Sequence, residues 1–187
     1  MDFNNIKGFN KMATTDQECV AQRSLAEYAY ECKLKYNQIE YTKEQWMKLY
    51  DDGEITLSTV YENLIVSIRN AHGIPTNKVS EDGRDLDNNG DVKIGVLKKD
   101  GDKRRFVISN VKNKIGTIYF VGWNWLLHSP VFFAIPHPSL HLYDSDLDLF
   151  PAQGIKIMVH PVTGERTGGK YNQFAFDTFE DMACTDY

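Results

Sequence analysis

Apolar residues recur at helical intervals through the first third of the chain and gather into short, dense runs afterwards. Between residues 14 and 37 no proline or glycine occurs, and Val20, Leu25, Tyr28, Ala29 and Cys32 follow roughly the three-to-four spacing that lines one face of a helix. Threonines stand ahead of this run, where a cap is needed. Thr42 to Tyr50 places Trp46, Leu49 and Tyr50 on one side and is stopped by Asp51-Asp52-Gly53. A third helix is predicted from Ser58 or Thr59, carrying Val60, Leu64, Ile65 and Ile68 until His72-Gly73-Ile74-Pro75 ends it.

Past Pro75 the period changes. Val92 to Leu97, Phe106 to Val111, Ile115 to Trp125 and Val131 to Ile135 are rich in Val, Ile and aromatics and are separated by Gly, Asp, Asn and Pro, which predicts strands. Asp100-Gly101 reads as a hairpin turn between the first two and Asn113 to Gly116 as one between the next two, so an antiparallel meander is expected. A further strand, Ile155 to His160, a glycine-rich turn and a short helix from Phe179 to Ala183 complete the pattern. The expected architecture is α/β of the α+β kind, with N-terminal helices packed on one side of a central, mostly antiparallel or mixed sheet. Residues 1–187 are read as a single domain, with a mostly helical part to residue 73 and a β-rich part from residue 74.

Composition supports a packed core: 42% of residues are hydrophobic and 12% aromatic. No stretch approaches the roughly 20 apolar residues that span a bilayer, and Met1 to Thr15 is polar, so no membrane partner and a cytoplasmic location are expected. Cys19, Cys32 and Cys184 form no close pair and read as reduced thiols.

A net charge of −5 argues at first against a polyanionic partner. The average hides an asymmetry. Residues 93 to 114 carry Lys93, Lys98, Lys99, Lys103, Arg104, Arg105, Lys112 and Lys114 against only Asp100 and Asp102, a local +6 on a body of −11. A basic patch on an acidic body suits one polyanion held in one orientation, although a solvated hairpin tip has the same composition.

The segment with the most chemistry precedes the first strand. From Glu81 to Lys93 acids accumulate, ending in Asp91-Val92-Lys93. Residues two apart on a strand share a face, so Asp91 and Lys93 project together while Val92 turns into the core. With Asp85 on the preceding turn, two carboxylates would supply the oxygen ligands Mg²⁺ prefers, and Lys93 would stand beside the metal to orient a water or stabilise charge on a phosphate.

Asp85 followed by Asp91-Val92-Lys93 resembles the hallmark of the PD-(D/E)XK nucleases, an acid followed after a short connection by acid-x-Lys on a strand. The resemblance runs over about residues 58 to 136 and takes in the basic hairpin, Ile108 to Lys114 and the aromatic strand ending at Phe132 to Pro136. No proline precedes Asp85, the second acid is Asp rather than Glu, and Asp87 could replace Asp85 as the first acid. The resemblance implies a restriction-endonuclease-like fold and a Mg²⁺-dependent endonuclease of restriction type. Asp85 and Asp91 would be metal ligands and Lys93 the catalytic lysine. Glu62 would be a helper from the preceding helix, although Thr59 to Glu62 also reads as a capping box. Double-stranded DNA would lie on Lys98, Lys99, Lys103, Arg104, Arg105, Lys112 and Lys114, and the homodimeric habit of restriction enzymes would extend to this chain.

Other readings use the same residues. Asp85 to Val92 matches the opening of a calcium loop, but the twelfth position, where a bidentate acid belongs, is Val96. An acidic solvated turn needs no ligand at all. A non-catalytic module that binds metal, nucleic acid or protein is therefore the alternative to an enzyme. His137, His141 and His160 lack the partners of a zinc site, and Gly164 to Lys170 lacks the spacing of a phosphate loop. Trp46, Trp123 and Trp125 read as packing residues, with Trp123 and Trp125 on one strand face.

Overall fold

The computed structural model describes residues 16–36, 40–76, 90–100, 103–111, 116–136, 155–163 and 174–185. Helix α1 is Asp16–Tyr36, α2 is Lys43–Asp51 and α3 is Leu57–Ala71. Strands β1 (Asp91–Val96), β2 (Lys98–Asp100), β3 (Lys103–Val111), β4 (Thr117–Asn124), β5 (Ser129–Pro136), β6 (Ile155–Val159) and β7 (Phe174–Phe176) follow, and helix α4 is Phe179–Ala183.

The helices form where the pattern places them, with two local differences. On α1 the buried stripe is Ala21, Leu25, Ala26 and Ala29, whereas Val20 is 65% exposed, because five residues before Leu25 puts it on the far side of a helix with 3.6 residues per turn. Helix α3 starts at Leu57 behind Thr56, so its third position is Thr59, and the Thr56 hydroxyl donates to that of Thr59 at 2.8 Å. Glu62 therefore lies in the second turn and closes no capping box. A full box stands instead on α2, where Thr42 and Gln45 exchange side-chain and backbone hydrogen bonds of 3.0 and 3.1 Å.

The strands are not a simple meander. One sheet has the order β1-β4-β5-β7 and the other β2-β3-β6. β1 runs parallel to β4, and parallel neighbours need a crossover. The β2–β3 hairpin supplies it: β1 ends at Val96 and β2 starts the second sheet one residue later. The reversal expected at Asp100-Gly101 therefore falls between β2 and β3, which pair as far as Asp100 and Lys103, and not between β1 and β3. No hairpin joins β3 to β4, which lie in different sheets.

Three layers result. The helices pack on one face of the four-stranded sheet through Leu25, Trp46, Tyr61, Ile65, Ile68 and Phe179 against Val92, Tyr119, Val121, Phe132 and Ala134. The alternate residues Ile118, Phe120, Phe133 and Ile135 leave the other face and meet Phe106, Ile108, Val111 and Val159 of the second sheet. A sheet covered on both faces explains why β4 and β5 are apolar almost throughout rather than alternating. Trp123 and Trp125 part company here. Trp123 packs with the helices, while Trp125, beyond the end of β4, packs with the second sheet.

The sheets close on aromatic rings. Phe120 and Phe133 stack at 6.0 Å, and Phe106 meets them edge-on at 5.2 and 6.3 Å. Gly122 makes room for this contact, since a Cβ there would lie 2.7 Å from the Phe120 ring and 2.8 Å from Phe106. On the helical face of the same sheet Arg69 is buried on α3 and ties down the end of α4, donating to the carbonyls of Ala183 at 3.1 Å and Thr185 at 2.7 Å, and to the Thr76 hydroxyl at 2.9 Å.

Candidate active site at the start of strand β1

Strand alternation sets the geometry at the head of β1. Val92 is buried with the helices, so Asp91 and Lys93 leave the opposite face, in register with Ile118 and Phe120 of β4. The Lys93 Nζ lies 2.9 Å from Asp91 Oδ2, and the two side chains are 21% and 14% exposed. That exposure places the pair between a solvated surface bridge and a buried one. A carboxylate has about four lone-pair sites, so Asp91 can hold the ammonium and still offer oxygen to a cation.

The remaining expected site residues divide into two groups. Glu62, half-buried on α3, belongs to the helical layer, across the sheet from the Asp91 and Lys93 face. Asp85 and its substitute Asp87, together with Lys112 and Lys114, lie outside the described residues, as do His137, His141 and the Gly164 to Lys170 loop. Among the described residues no group of three or more His, Cys, Asp and Glu side chains could hold a metal ion. The calcium-loop reading meets a direct obstacle, since Val96, its twelfth position, is buried in a strand and has no side-chain oxygen. None of the three cysteines is in a disulfide, and no described helix is long and apolar enough to cross a membrane.

The basic hairpin is a strand-paired structure. Its register sets Lys98 opposite Arg105 and Lys99 opposite Arg104. Like charges directly opposite each other destabilise a ladder, and a bound anion relieves the repulsion. Lys98 is exposed and Arg105 half-buried. Arg104 folds inward, its guanidinium 5.9 Å from the centre of the Trp125 ring, and the Trp125 indole N–H donates to the Leu97 carbonyl at 2.7 Å. The side chains of Lys99 and Lys103 are outside the described residues.

Two local devices were not read from the sequence. Exposed His160 uses Nδ1 to accept the backbone N–H groups of Val162 and Thr163, both at 3.2 Å, which makes it a turn cap. The Trp125 to His128 turn is capped by Asn124, whose Oδ1 accepts from the amides of Leu126 at 3.1 Å and Leu127 at 3.3 Å. The signal for the second was the Asn followed by four residues that pair with no strand. Comparison with protein-family models, curated proteins and solved structures finds no match for this chain.

Proposed function

We propose that the protein is a Mg²⁺-dependent DNA endonuclease of restriction type, acting on double-stranded DNA at the head of β1. The observation that carries the reading is the 2.9 Å approach of Lys93 to Asp91 on one partly shielded strand face. Mg²⁺ is commonly held by one or two carboxylates together with substrate phosphate oxygens and water, and Asp91 fits one such place. Asp85, or Asp87 in its stead, is the second ligand in this reading, and Glu62, on the far face of the sheet, takes no part. When bound, the metal supplies Lewis-acid stabilisation and lowers the pKa of a coordinated water.

The chain's own residues do the rest. Asp91 orients the Lys93 ammonium, which then presents N–H donors to a phosphodiester oxygen, where negative charge grows as the P–O bond breaks. Because strand neighbours hold both groups, little reorganisation is needed at that moment. Lys98, Arg104, Arg105 and the other basic residues from Lys99 to Lys114 hold the phosphate backbone. A homodimer acting on a symmetric site goes with the restriction-type reading, as does an intracellular place of action.

The test is supercoiled plasmid incubated with the protein in Mg²⁺, in Ca²⁺ and in EDTA. Nicked or linear product in Mg²⁺ alone, lost in Lys93→Ala, is the expected result. Retarded but uncut plasmid in all three would instead identify a non-catalytic binding module, and full cutting by Lys93→Ala would move the site elsewhere.

A further inference from the structure

Leu126 and Leu127 are 54% and 61% exposed, consecutive residues at the tip of the β4–β5 turn, whereas Val20 and Val162, the other exposed large apolar side chains among the described residues, stand singly. The tip is held in one shape. Asn124, only 2% exposed, accepts both leucine amides, and His128 closes the turn in the left-handed region at φ 49°. Directly behind the leucines, Trp125 is anchored to the Leu97 carbonyl and covered by Arg104. The residue after Leu97 is Lys98, set opposite Arg105. A rigid apolar point is thus joined through Leu97 to the strand pair that carries the cations, Arg104 on the Trp125 side and Lys98 with Arg105 on the other.

We infer that this turn is a wedge that enters a DNA duplex, with Leu126 and Leu127 parting one base step while Lys98, Arg104 and Arg105 hold the flanking phosphates. The inference rests on the endonuclease reading for its choice of ligand. Charge complementarity favours a polyanion. A second copy of the chain, or another protein, would need about 800 Å² from each partner, and the apolar part of this tip is two side chains. Apolar wedges flanked by basic residues are an established physical means of unstacking and kinking a duplex.

The position of the wedge follows from the strands. β1 and β4 run parallel with Lys93 paired to Phe120, and Trp125 lies five residues beyond Phe120. β4 ends at Asn124, four residues or about 13 Å beyond Phe120, and the turn carrying Leu126 and Leu127 adds about one residue's rise, so the wedge stands roughly 17 Å along the strands from Lys93. At about 3.4 Å per base pair this is on the order of five base pairs from the bond to be cut.

The experiment uses duplexes with 2-aminopurine placed at successive positions, bound to saturation with Ca²⁺ replacing Mg²⁺, and mapped against the cut site found in Mg²⁺. A several-fold rise in fluorescence confined to one step about five base pairs from the cut is expected. It should vanish in the Leu126→Ser/Leu127→Ser variant and persist in Val20→Ser, a change at an exposed apolar side chain on α1. Circular dichroism of the double variant checks that the fold survives. Cutting without any unstacking, or unstacking unchanged in the double variant, overturns the wedge and leaves the endonuclease reading standing. Leucine-dependent binding to phosphatidylserine vesicles with no fluorescence change on DNA overturns it in favour of a membrane contact. No duplex binding at all removes both readings together.

Discussion

Lys93 reaches Asp91 at 2.9 Å although no turn joins them, because the two-residue period of β1 sends both side chains to the same face while Val92 goes to the other. The pair is partly shielded, so its two members are coupled in stability as well as in the proposed chemistry. Asp91→Asn or Lys93→Met alone leaves one charge without its partner and should cost about 1 kcal/mol, between the surface and buried limits for ion pairs. Removing both should recover most of that. Cutting should behave differently, falling at least about 100-fold in each single variant and no less in the double. Urea unfolding and plasmid nicking on the same three variants decide it, and a double variant that regains cutting along with stability would count against the site.

The basic hairpin makes a prediction of opposite sign for stability and binding. Lys98 stands directly opposite Arg105, so Lys98→Gln removes a cross-strand repulsion and should raise stability by a few tenths of a kcal/mol. The same change removes one phosphate contact. The slope of log affinity against log salt for duplex DNA should then shrink by about 0.9, and Arg105→Gln should shrink it similarly. An unchanged slope in both variants would place the DNA elsewhere on the surface.

Gly122 tests the closure of the two sheets. Its missing Cβ would lie 2.7 Å from the ring of Phe120 and 2.8 Å from that of Phe106, and both rings are fully buried. Neither can swing away, because Phe133 stacks on one and meets the other edge-on. Gly122→Ala should therefore overpack the core at a cost of about 1–3 kcal/mol. In a domain of this size that lowers the thermal midpoint by several degrees, roughly 2–4 °C for each kcal/mol. A midpoint within one degree of wild type would mean that the sheets can part at little cost.

Much of this fold was legible in the chain, and the failures have physical causes. The helices announced themselves by period and by stop signals such as Asp51-Asp52-Gly53, and α4 by its five residues from Phe179 to Ala183. The strands were legible as runs, but not their partners. A turn such as Asp100-Gly101 signals a local reversal without saying which strand precedes it, and the break at Leu97, one residue long, carries no turn residue. Parallel pairing of β1 with β4 depends on contacts between residues 91 and 118, too distant for any local pattern. The face shared by Asp91 and Lys93 was legible because it needs only alternation. Whether Asp85 meets them depends on tertiary geometry that alternation does not determine.

Tyr61 gives the fold a pH dependence whose sign can be worked out. Its ring is fully buried among the helices, and its hydroxyl donates to the Leu25 carbonyl at 2.9 Å. Burial first, and then the neighbouring Cys32 and Tyr28, hold its pKa well above the ordinary 10.0. The unfolded chain loses this proton near pH 10 while the folded protein keeps it. The stabilisation tied to the bound proton is therefore complete below pH 10 and is lost as pH rises above it towards the folded value. Tyr61→Phe should be about 1–2 kcal/mol less stable at pH 7, where the hydrogen bond is lost. Above pH 10 that gap should narrow by up to about 1.4 kcal/mol per pH unit, because phenylalanine has no proton to lose. Paired urea unfolding curves at pH 7, 10 and 11 measure the gap directly, with the other tyrosines cancelling in the difference. A gap that stays constant across that range would mean that the Tyr61 hydroxyl reaches water.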